Sequence, residues 1–263
     1  MLCDVTRLLE AFRMPAALLL VSFSLPPAEG QTWEDFLTQT PIGLGETLVI
    51  GFLGGREAWD NEERSPRKLA LRLRSPRVRG LHVEPLENDR RPLAVELIRR
   101  AFDRDRNGVV DSQERASARI VIYGLSFGGA ATVKLARDLH KLNIPVLLTI
   151  QIDSVGWGDG VIPPNVRRTA NFYQKNGIVI RGEGPSRAED PERTMIAADC
   201  RVDYSKRKID ISNVNWFKKL MRVAHSYISY DPEVWSRVER LILEESGTPR
   251  NTAAIVEPPC PPS

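Results

Sequence analysis

The sequence has little of the chemistry that binds transition metals or builds a disulfide framework. It contains only three cysteines, Cys3, Cys200 and Cys260. Neither Cys200 nor Cys260 has another cysteine or a histidine at ligand spacing, which argues against a zinc site and against a catalytic cysteine. These two cysteines are either a disulfide formed in an oxidising compartment, which would tie down the C-terminal tail, or two free thiols.

Long apolar runs and a large excess of one charge are also missing. No segment reaches the roughly 20 apolar residues that a transmembrane helix needs. The formal net charge is only +3 over 263 residues, which argues against a polyanionic partner such as nucleic acid. With 42% hydrophobic residues, the chain is long enough for one domain with a full core, since single α/β domains often run to about 250 residues.

Both ends of the chain are predicted to lie outside the folded domain. Residues 1–30 have a basic start, an apolar run, and the small residues Ala28 and Gly30 at positions typical of signal-peptide cleavage. The alternative is an apolar N-terminal helix docked on the fold. Residues 247–263 are polar and Pro-rich, which predicts a disordered tail. We therefore expect a domain over residues 31–246 in a secreted or periplasmic protein.

A strand, a glycine-rich turn and a helix are predicted in succession at residues 120–136, IVIYGLSFGGAATVKLA. The turn fits the G-x-S-x-G pattern of a nucleophile elbow, with Ser126 at its centre. The serine of such a turn has a strained backbone, so the residues two before and two after it must be small, as Gly124 and Gly128 are. We expect Ser126 to be a nucleophile; the alternative is a serine in a turn without chemistry.

Three further segments extend this pattern along the chain. LVIGFLGG at 48–55 precedes the elbow, whereas TIQIDSVG at 149–156 and VAHSYI at 223–228 follow it. In this order, and over about residues 46–245, the four segments resemble the serine esterase and lipase branch of the alpha/beta-hydrolase superfamily. The resemblance implies a serine hydrolase that cleaves a carboxylic ester, with a small molecule or a lipid as substrate.

In that superfamily the order along the chain is serine, acid, histidine, and only His225 fits as the base. His82 precedes Ser126. His140 is predicted about 14 residues, or ~20 Å, along the helix that begins at the elbow, which is too far to reach back. Asp231-Pro232 then predicts the start of a final amphipathic helix. The family places its base on a loop before that helix; the alternative for His225 is a surface histidine.

The acid of the expected triad has two candidates. Val146–Ile152 is predicted to be a buried strand that ends at Asp153, and the carboxyl ends of parallel strands form the ligand-binding edge of an open α/β sheet. A carboxylate there can orient the imidazole and stabilise its protonated form. Most members of the superfamily place the acid one strand later, where this sequence offers Glu183. We favour Asp153, and Glu183 stays open.

Two backbone amides are expected to form the oxyanion hole. The resemblance implies that the segment 48–55 supplies one donor, which the pattern assigns to Phe52, with Leu53 as the alternative. The residue directly after the nucleophile, Phe127, would supply the other. Many lipases have His-Gly where this sequence has Ile50-Gly51. Because the donor is a main-chain amide, that departure is compatible with catalysis.

Predicted strands and helices alternate through the domain. The predicted strands before the serine are Leu48–Leu53, Leu81–Leu86 and Ile120–Tyr123, with helices predicted from Ser65 to about Arg74 and from Pro92 to Phe102. Such alternation with right-handed crossovers predicts an α/β fold with a mostly parallel central sheet flanked by helices. Residues 155–175, rich in Gly, Pro and Asn, are predicted to be a long connection that borders the substrate pocket.

A second motif lies directly before the predicted nucleophile strand. Residues 103–114 fit D-x-D-x-N-G-x-x-D-x-x-E and resemble the calcium loop of an EF-hand. The implied oxygen ligands belong to Asp103, Asp105, Asn107, Val109 (its carbonyl), Asp111 and Glu114. The exiting helix has room for only about residues 112–118, and the sequence has no second loop. The motif therefore predicts one structural Ca²⁺ ion; the alternative is a solvated acidic loop that caps a helix.

Two classes of function follow. In the first, a secreted serine hydrolase, Ser126 attacks the ester carbonyl, His225 takes and returns the proton, and Asp153 orients the imidazole. The second is a non-catalytic calcium-binding module on a hydrolase scaffold. The presence of every triad residue type in the family order favours the first class. The sequence predicts no particular oligomeric state.

Overall fold

The computed structural model describes residues 30–74, 78–177, 180–212, 224–247 and 260. The predicted signal peptide lies outside these residues, apart from Gly30. The predicted tail also lies outside them, apart from Gly247 and Cys260.

Strands and helices alternate along most of the described chain. The strands are β1 (Thr47–Phe52), β2 (Leu81–Leu86), β3 (Ile120–Leu125), β4 (Val146–Ile152), β5 (Val161–Ile162), β6 (Val166–Tyr173), β7 (Arg187–Ala188) and β8 (Met195–Arg201). The helices are α1 (Ser65–Leu73), α2 (Arg91–Phe102), α3 (Ser112–Ala116), α4 (Phe127–Lys141), α5 (residues 224–230) and α6 (Pro232–Glu245). A short 3₁₀ helix covers Trp33–Asp35.

Six strands form one parallel sheet in the order β2-β1-β3-β4-β6-β8. The predicted α/β class and parallel central sheet are thereby confirmed. Two short strands, β5 and β7, pair separately. Because all six strands of the main sheet run in the same direction, their carboxyl ends lie along one edge, where residues from distant parts of the chain meet.

Alternating side chains of the strands enter two separate cores, one on each face of the sheet. Leu48 and Ile50 of β1 belong to the core that also contains apolar residues of α2 and α4. Val49 of the same strand belongs to the other core, with apolar residues of α1 and α6 and with Ile228 of α5. The helices therefore cover both faces, which is why β1 and β3 are almost entirely apolar and show no alternation with polar residues.

The sheet also contains a strand where the sequence predicted a long connection. β6 covers residues 166–173, within the stretch 155–175, and it pairs with β4 and β8. Two of its polar residues bond to residues outside the strand: Thr169 shares a hydroxyl–hydroxyl hydrogen bond with Thr149, and Asn171 donates to the carbonyl of Glu183. These bonds make a strand with arginine and asparagine side chains stable in the sheet.

Cys200 of β8, which is buried, forms a disulfide with Cys260. The two cysteines are therefore paired, and Cys260 is attached to the sheet. Among the described residues, no helix combines the length and the apolar character needed to cross a membrane.

Candidate active site

Ser126 occupies the turn between β3 and α4, and its backbone has the strained conformation that the motif predicted. Its φ of 58° and ψ of −121° are rarely adopted by residues other than glycine. The turn is held by the sheet, because the Ser126 N–H donates to the carbonyl of Ile152 at 2.9 Å. Helix α4 begins at the next residue, so its unpaired N-terminal amides lie beside the serine.

The two glycines of the motif are required by close backbone approach. A Cβ on Gly124 would overlap the main chain of Gly128, and a Cβ on Gly128 would overlap the carbonyls of Phe52 and Leu53. Backbone atoms in a packed sheet cannot move aside as a flexible side chain can. The requirement for small residues on both sides of the serine follows from this crowding.

Asp153 and His225 are in direct contact, although 72 residues separate them. The Nδ1 atom of His225 lies 2.6 Å from Oδ2 of Asp153. Asp153 follows β4, is fully buried and has a positive φ of 43°. The sequence predicted that His225 lies on a loop, but it belongs to helix α5. Its side chain is 12% exposed.

Gln174 holds the carboxylate of Asp153 from the neighbouring strand. It directly follows β6, and its backbone N–H donates to Oδ1 of Asp153 at 3.0 Å. Its side-chain Nε2 donates to Oδ2 at 3.0 Å and also to the carbonyl of Ile180 at 2.9 Å. Each carboxylate oxygen therefore has a protein donor, and Oδ2 faces both the amide and His225. Sequence reasoning missed Gln174 because it missed the strand that positions it.

The helix that carries His225 is fixed at its C-terminal end by a buried polar cluster. Asp231 is fully buried and accepts hydrogen bonds from the Tyr204 hydroxyl and from Arg207, both at 2.8 Å. Burial, followed by the nearby negative charge of Asp231, raises the pKa of Tyr204 far above its ordinary value, so this phenol stays a donor. The indole of Trp235 donates to the carbonyl of Ser229 at 2.8 Å.

Ser126 and His225 line the same open cavity of about 560 Å³. One wall is formed by residues 54–65, and another by residues of α5 including Ser229 and Tyr230. The two walls are joined by a 2.6 Å hydrogen bond from the Ser65 hydroxyl to the carbonyl of Ser229. Serine, imidazole and buried carboxylate thus belong to one site at the carboxyl edge of the sheet.

The sequence predicted that the backbone amide of Phe52, or alternatively of Leu53, is the first oxyanion donor, and the structure places both residues elsewhere. Neither residue lines the cavity. The Leu53 N–H donates to Leu86 at 2.9 Å. Phe52 ends β1 between two paired strands, and its N–H faces β3, as the N–H of Leu48 does. Both amides are therefore engaged in the sheet and not directed at the cavity.

Gly54 lies beside the serine in place of Phe52. It lines the cavity, and a Cβ on Gly54 would lie 3.2 Å from the Cβ of Ser126. Phe127, the second expected donor, is the first residue of α4 and also lines the cavity. The signal that could have found Gly54 is the Gly54-Gly55 pair directly after the strand, since such a turn lets a backbone amide approach a ligand closely.

The other acid and the other histidines have different surroundings. Glu183 has its backbone N–H on the carbonyl of Ser154, and its side chain packs beside Gly160. His82 contacts Glu46 at 2.8 Å, which lowers the pKa of the Glu46 carboxyl chiefly through that hydrogen bond. His140 is exposed on the last turn of α4. Of the described histidines, His225 alone lines the cavity.

No protein-family model matches this chain, and no curated protein is similar to it in sequence. The α/β fold with a parallel sheet flanked by helices is compatible with the alpha/beta-hydrolase fold. The resemblance therefore rests on the motifs and on the geometry of the site.

The acidic loop is a compact turn between α2 and α3, on the side of the chain that leads into β3. Oxygen atoms of Asp103, Asp105 and Glu114 lie within 4.8 Å of one another. Asp103 accepts the N–H groups of Asn107 at 3.0 Å and Gly108 at 2.9 Å. Glu114 accepts the N–H of Arg104 at 2.7 Å, so its carboxylate faces the start of the loop.

The Arg104 side chain and the C-terminal end of the loop also have defined hydrogen-bond partners. The Arg104 side chain donates to the Ser117 hydroxyl at 2.7 Å. Asp111 caps α3 by accepting the Glu114 N–H at 2.8 Å, and Glu114 accepts the Asp111 N–H at 3.0 Å in return. Asp111 and Glu114 therefore cap helix α3, and the carboxylates of Asp103, Asp105 and Glu114 lie close together.

Proposed function

We propose that this protein is a serine hydrolase that cleaves a carboxylic ester. The observation that carries the proposal is the 2.6 Å contact between the buried Asp153 and His225, which lines the same cavity as the strained Ser126. A buried carboxylate on Nδ1 leaves Nε2 of the imidazole to accept a proton from a nucleophile. The alternatives, a surface histidine and a turn serine without chemistry, do not explain why both residues line one cavity at the carboxyl edge of the sheet.

Each group has a defined part in the proposed reaction. The Ser126 Oγ attacks the ester carbonyl while His225 Nε2 takes its proton, which gives a tetrahedral oxyanion. His225 then returns the proton to the departing alcohol oxygen, and an acyl group stays on Ser126. Water then attacks the acyl carbon while the same imidazole takes its proton, and the imidazole returns that proton to the Ser126 Oγ as the acid leaves. The Asp153 carboxylate orients the imidazole and stabilises the imidazolium in both steps.

The proposed oxyanion donors are the backbone amides of Gly54 and Phe127. Phe127 is the first residue of α4, where an N–H group has no partner within the helix. The N-terminus of a 15-residue helix adds a favourable dipole for negative charge at this point. Gly54 replaces Phe52 in this role, since the Phe52 amide belongs to the sheet.

Export from the cytoplasm is part of the proposal. The Cys200–Cys260 disulfide supports it, because disulfides form and persist mainly in oxidising compartments. The segment predicted to be a signal peptide points in the same direction.

We also propose that the loop 103–114 binds one Ca²⁺ ion with a structural role. The convergence of Asp103, Asp105 and Glu114 supports this proposal, because hard oxygen donors are the ligands that Ca²⁺ prefers. Asn107, Asp111 and the Val109 carbonyl are the other proposed ligands. The ion would lower the repulsion among the carboxylates and tie α2 to the segment that enters β3.

Labelling with a fluorophosphonate tests the nucleophile directly. The reagent should add to Ser126 in purified, calcium-loaded protein, as measured by intact mass and peptide mapping. Ser126→Ala should abolish the adduct, whereas Ser226→Ala, which changes another serine of the cavity, should keep it. Folded wild-type protein that does not label would favour the non-catalytic calcium-binding module instead.

A further inference from the structure

The cavity above Ser126 is walled mainly by polar side chains, which bears on the ester that the proposed hydrolase accepts. Among the described residues, the apolar side chains that line it are those of Ala58, Leu125, Phe127, Val155 and Ile180. Phe127 is itself 51% exposed. Sites for large apolar ligands are lined predominantly by hydrophobic and aromatic side chains. The polar and charged side chains of the lining outnumber these five apolar ones, so charge as well as apolar contact bears on the choice of ester.

The charged side chains in the wall leave one positive charge without a partner. They are Arg56, Glu57 and Arg64. Arg64 is balanced by Glu57, with Nε and Oε1 3.2 Å apart, and its Nη1 donates to the Tyr230 hydroxyl at 3.2 Å. Arg56 is exposed and forms no ion pair within the part of the chain that the structure describes.

A second cation without an ionic partner lies close by. A smaller cavity of about 190 Å³ meets the first at Phe127 and Val155, and Arg91 and Lys134 line it. Arg91 pairs with Asp138 at 3.3 Å, but Lys134 forms no ion pair with another described residue.

We propose that the substrate is an ester that carries a negatively charged group such as a carboxylate, and that Arg56 selects it. This inference rests on the proposed ester hydrolysis. A guanidinium in the wall of a cavity that has no acidic partner among the described residues attracts an anionic group of a bound substrate. The guanidinium can also pair with a carboxylate through two parallel hydrogen bonds. Lys134 strengthens the potential, and a cationic ester is repelled.

Two matched sets of esters test the charge preference on each side of the scissile bond. Monomethyl succinate and methyl butyrate differ by a carboxylate in the acyl part. The butyrate esters of glycolate, n-propanol and choline place a negative, zero or positive charge in the alcohol part. We expect kcat/KM to be about tenfold higher for the anionic member of at least one set at low salt, and this advantage to shrink in 0.5 M NaCl.

Arg56→Glu should remove the preference for the anionic ester, measured as the ratio of kcat/KM for the anionic ester to kcat/KM for its neutral counterpart. Arg56→Gln, a milder change, should shift the preference in the same direction. Lys141→Glu makes the same change in net charge on an exposed lysine near the end of α4, and it should keep the wild-type preference. An Arg56→Glu enzyme that still prefers the anionic ester would overturn the assignment.

The outcomes separate this inference from the function on which it rests. Equal or faster cleavage of the neutral or cationic esters by wild-type enzyme overturns the substrate class and leaves the hydrolase intact. Absence of cleavage together with absence of fluorophosphonate labelling at Ser126 overturns both.

Discussion

Nδ1 of His225 lies 2.6 Å from Oδ2 of Asp153, and the carboxylate is completely buried while the imidazole opens onto a cavity. One ring nitrogen is thus bound to the acid, in a residue that lines the same cavity as Ser126. The pair joins α5 to the end of β4, so the relative position of imidazole and serine depends on the packing of a helix on the sheet.

The first prediction concerns the base. His225→Ala should lower kcat for ester hydrolysis by about 10³- to 10⁶-fold, since triad members act as a unit. His140→Ala changes an exposed histidine outside the cavity and should leave kcat near the wild-type value. Steady-state kinetics on one ester measures both. Comparable losses in the two variants would contradict the role of His225.

The second prediction concerns the acid. Asp153→Asn should lower kcat strongly, because an amide at this position favours the wrong tautomer of His225; the loss expected is about 10⁴-fold. Glu183→Gln should have a much smaller effect, since the Glu183 side chain packs beside Gly160. Steady-state kinetics compares the loss of kcat in the two variants. A larger loss in Glu183→Gln than in Asp153→Asn would identify Glu183 as the acid.

The third prediction concerns Gln174 as a positioning residue. Gln174→Leu keeps the backbone N–H on Asp153 but removes the Nε2 donor, so the carboxylate is less well oriented towards His225. We expect kcat to fall about tenfold with KM little changed. Gln174→Glu should lose more, because a second carboxylate would then face Asp153. Equal kcat in all three proteins would exclude this role, and thermal melting shows whether folding changed.

The fourth prediction concerns calcium. Binding to the native state alone stabilises it by about 2.7 kcal/mol at an ion concentration of 100 Kd, so Tm should rise by roughly 5–10 °C between chelator and millimolar Ca²⁺. Glu114→Gln should remove most of this difference. Glu96→Gln removes the same charge from the exposed face of α2 and should keep it.

Activity and terbium binding complete the calcium experiment. Ca²⁺-free protein that is still folded should cleave esters, because the loop precedes β3 and contributes no residue to the cavity. If neither Tm nor terbium luminescence responds, the loop is only a helix cap. If folded protein loses all turnover without Ca²⁺, the role is not structural.

The fifth prediction concerns pH. Burial raises the pKa of the Asp199 carboxyl, against the lowering effect of hydrogen bonds from Ser186 and Asn171. The folded state therefore holds this proton more tightly than the unfolded chain, and the contribution of Asp199 to stability decreases as pH rises through the folded pKa. Asp199→Asn should raise Tm by about 2 °C at pH 7. The difference should vanish near pH 3; a constant difference across pH would contradict this explanation.

Features that depend on neighbouring residues in the chain could be predicted from the sequence. The elbow is one, because β3, the turn and α4 are consecutive and Gly124 and Gly128 mark the close approach directly. The helix start at Asp231-Pro232 is another, since the Asp231 side chain caps the N–H of Glu233 at 3.0 Å. The acidic motif of loop 103–114 could be recognised because its residues follow one another within twelve positions of the chain.

Features that depend on long-range contacts were decided only by the tertiary structure. β6 has a polar sequence, and its stability in the sheet comes from partners such as Thr149 and Glu183 that no local pattern reveals. Its position brings Gln174 onto Asp153, and the packing of α5 brings His225 there as well. The pairing of Cys200 with Cys260 is of the same kind. Chain order restricted the possible partners, but the choice among them is a matter of distance and packing in three dimensions, which the local spacing of residues does not contain.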